Sequence, residues 1–367
     1  MQKPIETWSV CMIDLEPLRE WFLEQRRWLP WRLEPRDPYH VLVSEIMLQQ
    51  TRAEVVGPFF QRWMKQFPTV QALAQAPWEE VLKAWEGLGY YSRARRLHLA
   101  AQKMVEEHRG QVPQEEEALS RLPGCGPYTV GAVRAFAFKQ RAAAVDGNVL
   151  RVWSRLTADP TPIDRIAQQR QIRKDIESQL PQERPWQVTE ALIELGALVC
   201  IPRRPRCAQC PLKEQCKAFA QGQVEQIPVK RERHPVTLLR QRALLAWTDR
   251  ALLLVRGEVG EVFGEIWRLP TWEETEEGMA DMEAWTEASV EVFPLQKPIV
   301  HCYTRFRCEL RPFQCSLVEE RSMVGGTWVC WTDLPLLTLA SGHREILARW
   351  METSCSANAW NGSPSIS

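Results

Sequence analysis

Apolar side chains recur every three or four positions through roughly the first 222 residues of this 367-residue chain. Such spacing is typical of amphipathic helices, and prolines or glycines interrupt it where the predicted helices end. One run begins at Asp37 and Pro38, a capping residue followed by a first-turn proline, and continues to Leu48. The pattern predicts an all-α N-terminal domain over residues 1–222.

The pattern changes beyond a predicted linker at residues 223–236, which contains Pro228, Pro235 and a run of mixed charges. Short apolar or alternating runs then follow at residues 243–247, 251–255 and 299–310, as is typical of β-strands. A helical pattern returns at residues 346–351. We therefore predict a smaller α+β domain over residues 237–352, and we expect residues 353–367 to form a disordered tail.

Composition adds little about a partner, because 46 basic and 46 acidic side chains give a net charge of zero. The length suits two domains, and no apolar stretch is long enough to span a membrane, so we expect a soluble protein. The positions of the charged residues are more informative than the net charge. Five basic residues lie within one short segment, where they could face phosphate groups: Arg203, Arg204, Arg206, Lys213 and Lys217.

The same segment contains four cysteines with the spacing C-x6-C-x2-C-x5-C, at Cys200, Cys207, Cys210 and Cys216. Four clustered thiolates indicate a shared metal centre, either zinc or an iron–sulfur cluster. Zinc ribbons usually pair two short C-x2-C knuckles, and only one is present here, so the spacing favours a 4Fe-4S cluster. A disulfide framework is disfavoured because the other cysteines are scattered and no apolar signal segment opens the chain. We expect a reducing intracellular compartment.

A glycine-rich turn lies between two predicted helices, at Leu122–Tyr128. Gly124 and Gly126 flank one small residue, so the backbone can turn tightly and expose its amides, together with those of the next helix, to a phosphate oxygen. A plain structural corner between two helices is the alternative.

Residues 122–131 resemble the helix–hairpin–helix of the endonuclease III-like DNA glycosylases, and the cysteine spacing resembles their 4Fe-4S loop. Four other segments resemble the adenine DNA glycosylases of the MutY family: residues 44–51, 86–93, 145–149 and 190–197. The resemblance is dense over about residues 20–220. It implies a monomeric base excision repair enzyme that hydrolyses the N-glycosidic bond of adenine mispaired with 8-oxoguanine or guanine in double-stranded DNA. It also implies a cytoplasmic, nucleoid-associated location.

The resemblance assigns the chemistry to two carboxyl groups. Glu45 is the only charged residue between His40 and Arg52, and an apolar setting raises a carboxyl pKa as a general acid requires. An exposed helix edge is the alternative for Glu45, and a helix N-cap is the alternative for Asp146. In the family, the glutamate protonates the adenine, and the aspartate stabilises the cationic sugar or bonds to it transiently. Tyr128 stands where strand-nicking relatives carry a lysine nucleophile, so we expect a monofunctional enzyme.

Further residues are assigned to DNA recognition by the same resemblance. Gln50 and Tyr90 are expected to enter the base stack when adenine is extruded. Arg32 and Glu190 are expected to line the adenine pocket, although without the family they would be interpreted as surface charges. Asn148, within the Asp-Gly-Asn-Val segment, completes the predicted DNA-binding set with the two hairpin glycines.

The second domain resembles the Nudix-like C-terminal part of adenine glycosylases at residues 252–256 and 264–270. The acidic box that would hold magnesium is missing, so we expect lesion recognition and no nucleotide hydrolysis. Where the family often has Phe-Ser-His, this chain has Tyr303, Thr304 and Arg305. Thr304 retains a hydroxyl that could contact 8-oxoguanine, but the histidine is replaced.

Two other functions fit the same motifs. Related glycosylases excise thymine from G·T mismatches, and pocket residues alone separate the two activities weakly. A non-catalytic iron–sulfur protein that binds damaged DNA is the other alternative. The presence of both Glu45 and Asp146 favours an enzyme.

Overall fold

The computed structural model describes residues 12–231, 236–258, 264–286, 291–292, 298–303, 306–317 and 319–356. The chain divides into two compact units. The first contains Met1–Ala76 and Arg93–Glu232, and the second contains Pro77–Ser92 and Arg233–Ser367. The backbone is helical between residues 12 and 231, and a mixed sheet follows, which confirms the predicted fold classes of the two parts.

Short loops and 3₁₀ turns connect the helices of the N-terminal stretch. In chain order these helices are α1 (Glu16–Gln25), α2 (Pro38–Leu48), α3 (Ala53–Gln66), α4 (Val70–Gln75), α5 (Trp78–Trp85), α6 (Ser92–His108), α7 (Glu116–Ser120), α8 (Pro127–Phe136), α9 (Gly147–Thr157), α10 (Ile166–Gln179), α11 (Pro185–Leu198) and α12 (Lys217–Ala220). None of the described helices is both long and apolar enough to cross a bilayer.

Helix α2 begins as its sequence predicts. The Asp37 side chain accepts hydrogen bonds from the amides of Tyr39 (2.7 Å) and His40 (3.2 Å), and Pro38 occupies the first turn. Every side chain from Val41 to Met47 is buried, so α2 is a central helix and lacks a solvent-facing stripe over these residues.

The predicted hairpin joins α7 to α8. Gly124 has φ +85°, a conformation that suits glycine, and α8 follows directly with Pro127 in its first turn. Further along α8, a Cβ added to Gly131 would lie 2.1 Å from the carbonyl oxygen of Ala143. Glycine is therefore required for α8 to approach the segment that leads into α9.

An apolar core joins α1, α9, α10 and α11 in the first unit. Its largest buried side chains include Phe22 and Trp153, and the cysteines Cys200, Cys210 and Cys216 pack against it. The cysteine loop is therefore fixed to the core on one side.

The second unit is built on one sheet. Its elements after residue 236 are β1 (Thr237–Trp247), β2 (Ala251–Arg256), β3 (Trp267–Arg268), β4 (Thr271–Glu273), α13 (Glu276–Thr286), β5 (Glu291–Val292), β6 (Ile299–Tyr303), β7 (Phe306–Ser316), β8 (Gly326–Cys330) and α14 (Ser341–Ser356). The central order is β3-β2-β1-β7-β5, with β4 on β1, β6 on β7 and β8 on β2. Strands β1 and β7 are parallel over their whole length, from Thr237↔Phe306 to Trp247↔Ser316, and the other named pairs are antiparallel.

Helix α14 covers one face of this sheet through Ile346, Leu347 and Trp350. Helix α5 also belongs to this unit, because Leu82 packs with Ile266 and Ala340. The domain limits predicted from the sequence, 1–222 and 237–352, left α5 in the first domain. The structure groups it with the second because its apolar face is buried there.

Candidate active site

Glu45 is a buried carboxyl with one close hydrogen-bond donor. Its residue is 4% exposed, and the hydroxyl of Tyr128 donates to Oε2 at 2.7 Å. Burial raises the pKa of Glu45 to about 7, and the negative charges of Glu190 and Asp146 act in the same direction, whereas the Tyr128 hydrogen bond lowers it. Glu45 therefore holds a proton close to neutral pH, and the alternative of an exposed helix edge is wrong.

Asp146 is the N-cap of α9. Its Oδ1 accepts hydrogen bonds from the amides of Asn148 (2.9 Å) and Val149 (2.8 Å), and its Oδ2 accepts one from Asn148 Nδ2 (2.8 Å). Burial raises the pKa of Asp146, while these three donors lower it by stabilising the charged form. The capping interpretation is correct, and it also fixes the carboxylate rigidly near Glu45.

A buried network of charges surrounds Arg32 and Glu190. Glu190 accepts from Arg32 Nε at 2.7 Å through Oε1 and from Arg36 Nη2 at 2.7 Å through Oε2. Glu194, one turn further along α11, pairs with Arg32 at 2.9 Å and with Arg27 at 2.8 Å. The alternative that Arg32 and Glu190 are surface charges is therefore wrong. Sequence analysis missed the other three members of the network.

Glu194 is a buried carboxylate stabilised in its charged form by two arginines. Burial raises the pKa of Glu194, but the hydrogen bonds and positive charges of Arg27 and Arg32 outweigh burial and lower it to about 2. Arg32 also lowers the pKa of Glu45, and Glu190 raises it, so this network lies within electrostatic reach of the Glu45 carboxyl.

Arg93 fixes the end of α2, where Gln50 lies. Its buried guanidinium donates to the carbonyl oxygens of Ile46 (3.3 Å), Met47 (2.8 Å) and Gln49, and to Thr51 Oγ1 (3.1 Å). Three of these four acceptors are carbonyl oxygens at the C-terminal end of α2, where a helix leaves carbonyls short of partners. Gln50 is exposed with φ +63°, a conformation uncommon for residues other than glycine.

Tyr90 is found in the Pro77–Ser92 segment of the second unit. Its side chain is 45% exposed and its φ is +49°. The entry of Gln50 and Tyr90 into DNA remains a prediction. Thr304 and Arg305 lie outside the described residues.

The hairpin glycines border an open cleft of about 490 Å³. Gly124 and Gly126 line it together with the exposed Arg96, and the first turn of α8 presents its amides there. Gln49 braces the turn by donating to Gly124 O (3.3 Å) and Thr129 Oγ1 (3.2 Å). Free helix amides beside a guanidinium form a site suited to a phosphate, and Arg96 had no distinguishing sequence signal.

The four cysteines line one small cavity of about 20 Å³ with apolar walls. Burial raises the pKa of Cys210 to about 12, and the other three cysteines add to the rise. Arg155 donates to Cys200 Sγ at 3.3 Å. Yet among the described residues no three acidic, His or Cys side chains converge tightly enough for one metal ion. Four thiols that line one space are the donor set of either a 4Fe-4S cluster or a tetrahedral zinc.

Arg151 links this cysteine loop to Asp146. It donates to Cys200 O (2.7 Å) and Gly196 O (2.7 Å), and its Nη2 also donates to Asn148 Oδ1 (2.9 Å). A Cβ at Gly196 would lie 2.6 Å from Asn148 Cβ, so glycine lets α11 approach α9 closely. Asn148 is thus held between Arg151 and Asp146, a role that its spacing did not predict.

Residues 43–182 match the HhH-GPD superfamily of base excision DNA repair proteins. They are an HhH-GPD domain. This domain holds Glu45, Tyr128 and Asp146, whereas Glu190 and the cysteines follow it along the chain.

Curated relatives agree with this assignment. The chain is 42% identical to an adenine DNA glycosylase of Homo sapiens over 57% of its own length and 40% of that protein. It is 42% identical to an adenine DNA glycosylase of Mycobacterium tuberculosis over 53% of its length and 64% of that protein. The predicted resemblance to adenine DNA glycosylases is confirmed. The chain spans about half the length of the curated relatives it matches.

A thermostable thymine-DNA glycosylase has a similar structure. Its TM-score is 0.52 at 27% identity, covering 56% of this chain and 95% of that one. The helical glycosylase fold predicted for the N-terminal domain is therefore confirmed.

Proposed function

We propose that this protein is a monofunctional DNA glycosylase that removes adenine mispaired with 8-oxoguanine or guanine. The observation that carries the proposal is the buried Glu45, protonated near neutral pH and hydrogen-bonded to Tyr128 beside the rigid Asp146. The relatives at 42% identity are adenine DNA glycosylases, which supports adenine as the base.

The two carboxyl groups divide the reaction between them. Glu45 donates its proton to the adenine ring, so the base leaves C1′ as a neutral molecule. Asp146 stabilises the cationic sugar through its charged form, which three hydrogen-bond donors favour against the opposing effect of burial. This division resembles glycoside hydrolysis, where one acid serves the leaving group and one carboxylate faces an oxocarbenium-like centre.

Tyr128 determines how the reaction ends. A phenol cannot form an imine with the sugar, so water adds to C1′ and the strand remains intact. Treatment with borohydride during turnover is therefore expected to trap no protein–DNA adduct. A trapped adduct would contradict the monofunctional assignment.

The charged network supplies the groups that an adenine edge requires. Adenine presents an amino donor beside ring-nitrogen acceptors. Glu190 offers carboxylate oxygens, and Arg32 and Arg36 offer guanidinium donors at the same place. A base with a different edge would mismatch these fixed donors and acceptors.

We propose double-stranded DNA containing A:8-oxoguanine or A:G mispairs as the partner of a monomeric protein in a reducing, nucleoid-containing cytoplasm. The hairpin cleft with Arg96 would bind backbone phosphate, and Arg203, Arg204 and Arg206, which are all exposed, would make a second phosphate contact. Gln50 and Tyr90 would fill the space that the extruded nucleotide leaves.

We also propose that Cys200, Cys207, Cys210 and Cys216 bind a 4Fe-4S cluster. When bound, it would fold the cysteine loop and hold its basic residues in place, and no chemistry of base release is routed through it. The purified protein should be brown with broad visible absorbance, and Cys207→Ala should lose that colour and bind DNA less tightly. A colourless protein with one equivalent of zinc would contradict this proposal.

A thymine glycosylase is the second candidate, since a structural neighbour is a thymine-DNA glycosylase. One panel of duplexes decides between the two, with A or T placed opposite G or 8-oxoguanine and base release measured in single turnover. We expect adenine release from both A-containing duplexes and no thymine release. Faster release of thymine would reverse the assignment. Binding without any release would favour the non-catalytic iron–sulfur alternative.

A further inference from the structure

An ion pair holds the end of α5 within the second unit. Glu86 follows α5 and has a largely buried carboxylate, whose Oε1 accepts from Arg344 Nη1 at 3.0 Å and from the amide of Leu339 at 3.3 Å. Its Oε2 lies 2.9 Å from Lys83 Nζ. Glu86 is therefore connected to α14 and to the segment that precedes α14.

The turn after Glu86 has an unusual backbone. Gly87, Gly89 and Tyr90 have φ values of +99°, +69° and +49°. Glycine adopts such values freely, but for tyrosine this conformation is strained and the surroundings must maintain it. The indole of Trp85 donates to Gly89 O at 3.1 Å, and Tyr91 is bonded to the backbone of Gly87. Between these anchors, the Tyr90 side chain is exposed.

We infer that Glu86 and Arg344 are positioning residues that hold the Gly87–Tyr90 turn with Tyr90 ready to enter the base stack. The second unit thereby contributes to base extrusion, beyond any contact it makes with the lesion. This inference rests on the proposed function, in which Tyr90 replaces the stacking lost on extrusion. Both residues and the turn belong to the same compact unit.

The physical effect is on binding. Without the ion pair the turn samples other conformations, and DNA must select the competent one. The apparent Kd then rises by the inverse of the competent fraction. Once DNA is bound with Tyr90 in place, the carboxyl groups of the first unit act as before, so the rate at saturating DNA is unchanged.

The experiment measures the Kd and the single-turnover rate on an A:8-oxoguanine duplex for full-length Arg344→Ala and Glu86→Gln. We expect Kd to rise roughly tenfold in each variant with the saturated rate within about twofold of wild type. Arg344→Lys should recover most of the affinity, since an amine can still reach the carboxylate. Arg250→Ala, which removes an exposed cation of the same unit that pairs with Asp249, is the matched control.

A double-mutant cycle separates positioning from general damage. In a Tyr90→Ala background, Arg344→Ala should add little further loss, because the residue it positions is already gone. The inference is overturned if the single variants bind like wild type, or if the loss from Arg344→Ala is undiminished without Tyr90. If wild-type protein releases no adenine, the proposed function itself fails, and the two failures are therefore distinguishable.

Discussion

The hydroxyl of Tyr128 donates a 2.7 Å hydrogen bond to Oε2 of Glu45, and it is the contact that most directly modulates the acid. The bond stabilises the charged carboxylate, so it opposes the effect of burial and limits the rise of the Glu45 pKa. In the proposed mechanism, Tyr128 therefore tunes the proton donor.

The rate of base release should fall as pH rises through about 7. Glu45 acts in its protonated form, and burial raises its pKa to about 7, so it loses the active proton in that range. Single-turnover rates measured from about pH 5 to about pH 9 test this expectation. A rate that stays level or rises across neutrality would exclude Glu45 as the acid.

In Tyr128→Phe, the pH at which the rate of base release falls should be higher by about one unit. Removal of the donor leaves burial and the neighbouring negative charges unopposed, so the Glu45 carboxyl keeps its proton to higher pH. Tyr39→Phe is a suitable control because it also removes a buried phenol, one that donates to Phe67 O. If the rate of base release in Tyr128→Phe falls at the same pH as in wild type, the hydrogen bond does not tune the pKa of Glu45.

Glu45→Gln should be more stable than wild type at about pH 8. The unfolded chain releases this proton near the ordinary value of 4.5, while the folded protein keeps it to about 7. Folded wild type therefore binds more protons between these values, and its stability falls as pH rises through that window. The variant lacks this pH-dependent loss of stability. Its free energy of unfolding should therefore exceed that of wild type by roughly 3 kcal/mol at the alkaline end of the window. Calorimetry should show a difference in melting temperature that shrinks toward pH 5, and a constant difference would contradict the pKa assignment.

Glu194→Gln should weaken both folding and binding of adenine-containing DNA. Glu194 anchors Arg27 and Arg32, and breaking a buried pair of this kind costs roughly 3 kcal/mol. Its lowered pKa means that the stabilisation is present above pH 4.5 and is lost as pH falls toward about 2. Glu54→Gln is the matched control, because Glu54 pairs with the same Arg27 at 3.0 Å on the exposed surface. Equal losses of unfolding free energy in the two variants would contradict the importance of burial.

Much of this site could be predicted because its local signals are strong. Asp37 and Asp146 are caps that their sequence neighbours define, and glycine spacing defines the hairpin. The network around Arg32 could not be predicted in the same way. Arg27 and Glu194 are 167 positions apart, so no local pattern joins them. Arg93 could not be predicted either, because three of its four acceptors are backbone carbonyls, which every residue type has.

The grouping of α5 with the second unit likewise depends on contacts between residues far apart in the chain. The amphipathic pattern of α5 correctly predicts that one face is buried, but it does not predict which part of the protein that face packs against. The partners Ile266 and Ala340 lie far along the chain. Periodicity therefore predicts elements, while tertiary contacts determine the unit to which each belongs.

Arg151→Gln should slow base release by roughly tenfold while duplex binding changes less. The Arg151 guanidinium donates to the side chain of Asn148, which in turn donates to Asp146. The variant removes this support, so the carboxylate that is proposed to face the sugar becomes less rigidly held. Arg151→Lys keeps the positive charge but lacks the several donors of the guanidinium, so it should recover only part of the rate. Visible absorbance measured alongside separates this effect from damage to the cysteine loop. Unchanged base release would show that Asp146 needs no such support.

The most direct test of the proposed chemistry is single-turnover release of adenine from an A:8-oxoguanine duplex by Glu45→Gln beside wild type. The amide keeps the shape of Glu45 and cannot donate an acidic proton. We expect adenine release by wild type, release reduced by at least about a hundredfold in the variant, and a Kd for the duplex close to that of wild type. Substantial turnover by Glu45→Gln would contradict the central claim.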